Sequence, residues 1–234
     1  MSLSFTTDGG AGSRASLGLI VLQEDASIEA EFSRLVAAPG IGLYHSRIAM
    51  HPNVAPASLT AMLEELPKAV ALLPTSVDFD VIGYACTSAA AVIGSAGIET
   101  AIQRVYPAVN VTDPLRAALA VCRTLHVRKL AYVSPYIAEV SATMRNLLEK
   151  NGLTITGCVS FEQSDDRIVA RISPTSILAA IEQVAAAGAC DAVFVSCTNL
   201  RVLDILELAE QRIGKPVLSS NLVLARHMLQ LAGI

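Results

Sequence analysis

The sequence predicts an α/β protein of two pseudo-symmetric halves, each a small four-stranded parallel sheet flanked by helices, with the ligand site between them. Three observations carry this. The segment Asp80-Val-Ile-Gly-Tyr-Ala-Cys86-Thr87-Ser88 returns about half a chain later as Asp191-Ala-Val-Phe-Val-Ser-Cys197-Thr198-Asn199. Apolar runs and helical patterns recur in the same order around each copy. Hydrophobic residues make up 53% of the 234 while aromatics are 4% with no tryptophan, so alanine, valine, leucine and isoleucine fill the core, as in parallel sheets buried on both faces.

The first half opens with a strand at 17–22 and a helix at 28–36 that has acidic residues in its first turn. A second strand covers 42–48. Residues 56–73 form a helix with Pro56 near its start and Leu59, Met62, Leu63, Leu66 and Val70 on one face. The strand ending at Cys86 comes next, then a helix from about Ala89, a helical piece at 99–105 and a short strand at 110–112 that stops at Asp113-Pro114. A helix covers 115–125. The second half has strands at 130–134 and 153–161 around a helix at 140–150, which Asn151-Gly152 closes. Residues 174–187 form a helix, Cys197 ends the third strand, and a short strand from Pro216 leads to a closing helix at 222–231. The division this predicts is a flexible leader at 1–16, a first half of 17–116 plus 218–234, and a second half of 117–217. The last helix thus returns to the first half.

Composition excludes several classes. With 16% charged residues and a net charge of −4, the chain is neither disordered nor a nucleic-acid-binding surface. No apolar stretch approaches the roughly 18 residues of a membrane span. Residues 1–16 have neither the charge pattern nor the apolar core of a signal peptide. The apolar composition predicts a homo-oligomer without giving its order.

Five cysteines without close pairs argue against a disulfide framework, and no Cys/His spacing suits a metal site. Free thiols fit a reducing cytosol. Cys122, Cys158 and Cys190 read as buried packing residues. Cys86 and Cys197 differ, because both stand at a strand's carboxyl end, the edge where parallel sheets bind ligands. A thiol at the start of the following helix meets unpaired N–H groups that stabilise a thiolate, which predicts a lowered pKa suited to proton transfer near neutrality. Two such thiols, one per half, predict one site if the halves face each other.

Taken together, Tyr84-Ala85-Cys86-Thr87-Ser88, Ser134-Pro135-Tyr136, Asp165-Asp166 with Val169-Ala170-Arg171-Ile172, Ser196 to Arg201 and Ser219-Ser220-Asn221 resemble the aspartate/glutamate racemase superfamily. The similarity is to its maleate cis-trans isomerase and arylmalonate decarboxylase branch and spans 17–234. Glu31-Phe32, residues 42–47 and residues 161–172 are similar to the racemase-like proteins of ectoine-utilisation clusters.

The resemblance implies cofactor-free chemistry on a small carboxylate, with Cys86 and Cys197 as an opposed catalytic pair. It makes Thr87, Ser88 and Tyr136 donors to the substrate oxygens, with Thr198 and Asn199 as the matching pair after the second cysteine. Decarboxylases of this branch have glycine where this chain has Cys86, which favours isomerisation; decarboxylation of a malonate-type acid and simple carboxylate binding stay open. Where maleate isomerase-like sequences grip carboxylates with asparagines, this chain has Asp25 and Glu162. If these face the site, they favour an amino-bearing substrate over a dianion.

The remaining polar residues have plainer readings. His45, His51 and His227 are isolated, and Arg47, Arg171 and Arg201 suit surface pairing. Asp80 and Asp191 satisfy turn N–H groups, and Asp165-Asp166 gates or caps a loop.

Overall fold

The computed structural model describes residues 2–50 and 55–234, the side chain of Pro56 aside. His51 lies outside the described residues. The first half contains β1 (Ala15–Leu22), α1 (Ile28–Leu35), β2 (Ile41–Ile48), α2 (Pro56–Val70), β3 (Val81–Ala85), α3 (Thr87–Ile93), α4 (Ser95–Gln103) and β4 (Asn110–Thr112). After α5 (Pro114–Thr124) come β5 (Lys129–Tyr136), α6 (Ala138–Lys150), β6 (Thr154–Gln163), α7 (Asp166–Val169), α8 (Pro174–Ala186), β7 (Ala192–Val195), α9 (Leu206–Ile213), β8 (Val217–Ser219) and α10 (Ser220–Leu231).

The strands form two four-stranded parallel sheets of identical order, β2-β1-β3-β4 and β6-β5-β7-β8. Each central pair is aligned the same way, Leu17 opposite Val81 and Leu130 opposite Ala192. Asp80 Oδ2 accepts the Ser16 N–H, and Asp191 Oδ2 those of Arg128 and Lys129, all at 2.8 Å. The two aspartates therefore fasten the strand starts, as their position in the sequence suggests.

Several boundaries differ from expectation for local reasons. The leader gives way to β1 at Ala15, because the N–H groups of Arg14 and Ala15 donate to Gly40 O and bury Ala15 and Ser16. Ser134-Pro135-Tyr136, read as the start of a loop, is still strand, since β5 keeps pairing with β6 as far as Tyr136. Between Cys197 and Pro216 the sequence reading assigns no element. The structure has a 3-10 turn (Leu203–Ile205) and α9, which Gly214 ends in the left-handed conformation at φ 65°. The short helix α7 was likewise not expected. The divisions at 116/117 and 217/218 fall inside α5 and β8, so whole elements, not those residues, mark the crossings.

Helix α10 leaves the second sheet and packs on α5, α1, β3 and β4. Its Val223, Leu224 and Met228 are fully buried, each worth roughly 1.5–3 kcal/mol of transfer free energy. Gly83 of β3 makes this approach possible, since a Cβ there would stand 2.6 Å from Met228 Sδ. Cys122 and Cys190 are buried as expected. Cys158 is exposed, because β6 is an edge strand with no fully buried position.

Candidate active site

Strand β3 delivers Cys86 to the start of α3, where its sulfur caps the helix by accepting the Ala89 N–H at 3.3 Å. Strand β7 delivers Cys197 to the same edge of the second sheet. Cys197 does not start a helix. A turn follows, and its sulfur accepts the Asn199 N–H at 3.3 Å. The difference arises because the chain beyond Cys197 is held elsewhere: Glu31 Oε1 of α1 accepts the N–H groups of Val202 and Leu203 at 2.7 and 2.8 Å.

The two cysteine loops touch. Thr198, next to Cys197, donates to the carbonyl of Ala85, next to Cys86, at 3.3 Å. Both sulfurs are buried, at 4% and 2% exposure, and the leading charges bearing on each are Asp166 and Asp25. Tyr136 joins the group, its hydroxyl 2.7 Å from Asp166 Oδ1 and 3.3 Å from Cys197 Sγ. The shorter contact, to a carboxylate, takes the hydroxyl proton and leaves the phenol oxygen to accept from the thiol.

Burial overrides the helix terminus in setting the thiol chemistry. The Cys86 thiol is pushed up to about 12 by loss of hydration, which the Ala89 N–H only partly offsets and the Asp166 charge reinforces. Cys197 is raised well above the usual thiol range by burial and then by Asp166. The lowered pKa expected from sequence is therefore overturned for this closed, dry arrangement. Asp166 itself is raised to about 6, by burial first and partly relieved by Tyr136, and Asp25 is raised by burial against two backbone donors.

The other expected residues divide. Asp25 is at the site, with Oδ1 accepting Ser27 and Ile28 N–H at 2.9 Å and capping α1. The Thr198 hydroxyl stands beside it but donates to Ala85, which leaves Asp25 Oδ2 without a hydrogen-bond partner. Asn199 is a tie rather than a free ligand group. Its Nδ2 donates to Asp166 O at 3.1 Å and its Oδ1 accepts from Ala26 N at 3.0 Å. The Thr87 hydroxyl is committed to Ser220 Oγ at 2.8 Å, while the buried Ser88 hydroxyl makes no hydrogen bond among the described residues.

Glu162 does not join the site. It is exposed, at a left-handed φ of 52°, and bears on Cys158 on the outer edge of the sheet. The carboxyl that does enter is Asp166, which the sequence reading set aside as a loop cap. Its neighbour Asp165 fills that capping role, accepting Arg167 N at 2.9 Å. The signal available was the pair itself, two adjacent acids that a short turn must point in different directions. His227 bonds Thr112 at 2.7 Å and His45 is exposed, both away from the thiols. Arg47 pairs with Glu29, and Arg201 donates to Ile172 O.

Asp166 at the start of α7 and Asp25 in the β1–α1 loop both bear on the sulfurs. A surface groove of about 610 Å³ is lined by Glu24, Ala26, Asp165, Arg167 and Arg171, residues that adjoin Asp25 and Asp166 in the chain.

Two matched half-sheets, each ending in a buried cysteine on which Asp166 and Asp25 bear, define an α/β protein with paired thiols at equivalent strand ends. Residues 67–234 match the arylmalonate decarboxylase family. The chain belongs to that family, within the maleate isomerase and arylmalonate decarboxylase branch of the aspartate/glutamate racemase superfamily. It is 26% identical to a maleate isomerase of Nocardia farcinica over 215 residues, 87% of this chain and 84% of the relative. It is 31% identical to an arylmalonate decarboxylase of Bordetella bronchiseptica over 106 residues, 45% and 44% of the two chains. A solved structure of the Nocardia farcinica maleate cis-trans isomerase, a cysteine-to-serine mutant with a covalently bound succinylcysteine intermediate, superposes with TM-score 0.84 at 25% identity, covering 94% and 93%. The chain is an enzyme of this isomerase and decarboxylase branch. No helix among the described residues is long and apolar enough to cross a membrane.

Proposed function

We propose that this enzyme is a cofactor-independent isomerase, a racemase/epimerase or cis-trans isomerase, acting on a small carboxylate or amino acid derivative through Cys86 and Cys197. One observation carries the reading. Equivalent strands of two equivalent sheets bring two thiols under the influence of the same two carboxyls and the same tyrosine.

In the proton-transfer form, one sulfur as thiolate takes a proton from the carbon beside the carboxylate. The resulting enediolate is stabilised by N–H and hydroxyl donors such as Ser88, and the opposite thiol returns a proton to the other face. In the cis-trans form, the thiolate adds to the double bond, the new single bond rotates, and the sulfur leaves. Tyr136 supports either, because a proton departing Cys197 can pass through its oxygen to Asp166. Burial is the main cause that raises the two thiols, so entry of substrate and water brings their pKa down toward the working range. Decarboxylation, suggested by the family match, is less supported by a site with two thiols.

The test is solvent-deuterium incorporation at the carbon beside the carboxylate, over a panel of amino acids, N-acyl diamino acids, maleate and arylmalonates. Cys86→Ala and Cys197→Ala should each lower exchange or isomerisation about 10²–10⁴-fold, the usual contribution of a positioned acid or base. Full activity in either variant, or carbon dioxide release needing one cysteine alone, refutes the two-thiol reading.

A further inference from the structure

We infer that the substrate carries a cationic nitrogen, an ammonium group, opposite its reacting carboxylate, and that Asp25 and Asp166 receive it. The inference rests on the reading above that the two thiols act on a small carboxylate, and it narrows that substrate to an amino acid class.

Both carboxyls are buried, Asp25 at 3% and Asp166 at 1% exposure, and both bear on Cys86 as well as Cys197. Asp25 is only half satisfied: Oδ1 holds the Ser27 and Ile28 N–H groups, and Oδ2 has no hydrogen-bond partner. A buried carboxylate oxygen left without a donor is costly, and a ligand N–H removes that cost. The neighbouring donors are engaged elsewhere: the Thr198 hydroxyl, which stands beside Asp25, donates to Ala85 O at 3.3 Å. Arg47 donates through Nη1 to the carbonyls of Leu22, Gln23 and Asp25, and its Nη2 pairs with Glu29 at 3.0 Å. It therefore faces the backbone and solvent rather than the thiols.

A substrate with two carboxylates would bring its second negative charge against two carboxyls in a poorly screened pocket. An ammonium in the same place forms short, charge-assisted hydrogen bonds with them. The rival arrangement keeps both carboxyls protonated and donating to a second carboxylate, and it predicts the opposite ligand preference.

Three unreactive probes of similar length decide between them: β-alanine, propionate and succinate, titrated calorimetrically into the wild-type chain near pH 8. β-Alanine should bind at least about tenfold more tightly than succinate, with propionate between them. Asp25→Asn keeps the Oδ1 acceptor that caps α1, and should weaken β-alanine about tenfold while strengthening succinate. Asp166→Asn, which keeps an acceptor for Tyr136, should shift the ratio the same way and serves if the first variant does not fold. Succinate binding as tightly as β-alanine, β-alanine failing to bind, or variants that move both ligands alike would each overturn the inference.

Exchange in the cysteine variants scores the underlying reading separately. A chain that needs both thiols yet prefers succinate keeps the isomerase and loses the ammonium. One that prefers β-alanine but exchanges without either thiol does the reverse.

Discussion

Replacing Asp166 with asparagine tests whether a carboxyl is held in the dry thiol pocket. The folded chain raises this group from its ordinary 3.8 to about 6, with burial as the main cause. The native state therefore keeps a proton that the unfolded chain has already released. The stability this provides is fully present below 3.8 and is lost as pH rises through about 6. The gap corresponds to about 3 kcal/mol, a ceiling because Asp25 titrates nearby and shares the proton uptake. Asparagine preserves the acceptor for Tyr136 and does not titrate. Urea unfolding of wild type and Asp166→Asn, followed from about pH 4 to pH 8, should show the variant gaining about 1–3 kcal/mol relative to wild type across that window. Taking the difference cancels most other titrating groups. A difference flat to within about 0.5 kcal/mol means Asp166 is hydrated in the folded chain, and the argument for a dry carboxyl–thiol pocket fails. The same variant should bring both thiols down, since the Asp166 charge raises Cys86 and Cys197, and thiolate ultraviolet absorbance in a pH titration reads this.

Two further predictions concern the supports of the site. Tyr136→Phe removes a hydroxyl bonded to both Asp166 and Cys197, so the chain should lose about 1–3 kcal/mol in urea unfolding and Asp166 should titrate higher still. An unchanged Asp166 titration by NMR would show that the hydroxyl does not stabilise the carboxylate. Gly83→Ala forces a methyl group into Met228 and should cost about 1–3 kcal/mol, and the same change should cost less when made in a Met228→Ala background, where the clash is absent. A fully tolerated Gly83→Ala would mean that α10 does not press on β3 this closely.

The sequence by itself determined the two sheets and the positions of the two thiols. A parallel strand buried on both faces must be a short apolar run, and its carboxyl end must be followed by polar residues able to satisfy the next turn. Those are local requirements, written twice as Asp-x5-Cys-Thr, at Asp80 and at Asp191. Asp80 and Asp191 could be assigned to turn N–H groups for the same reason. Tertiary structure decided which carboxyl meets the sulfurs. Asp25, Glu162, Asp165 and Asp166 are alike in composition, and a shift of one residue around a short turn separates the half-buried Asp165, paired with Arg167, from the buried Asp166. The left-handed backbone at Glu162, off an edge strand, turns that side chain outward, and periodicity gives no sign of it. Tertiary structure also decided the thiol chemistry. A cysteine at a helix start promises a stabilised thiolate, but that promise assumes water, and the burial of both cysteines removes it. Desolvation is set by everything packed within several ångströms, drawn from both halves of the chain, and no local stretch of sequence contains that information.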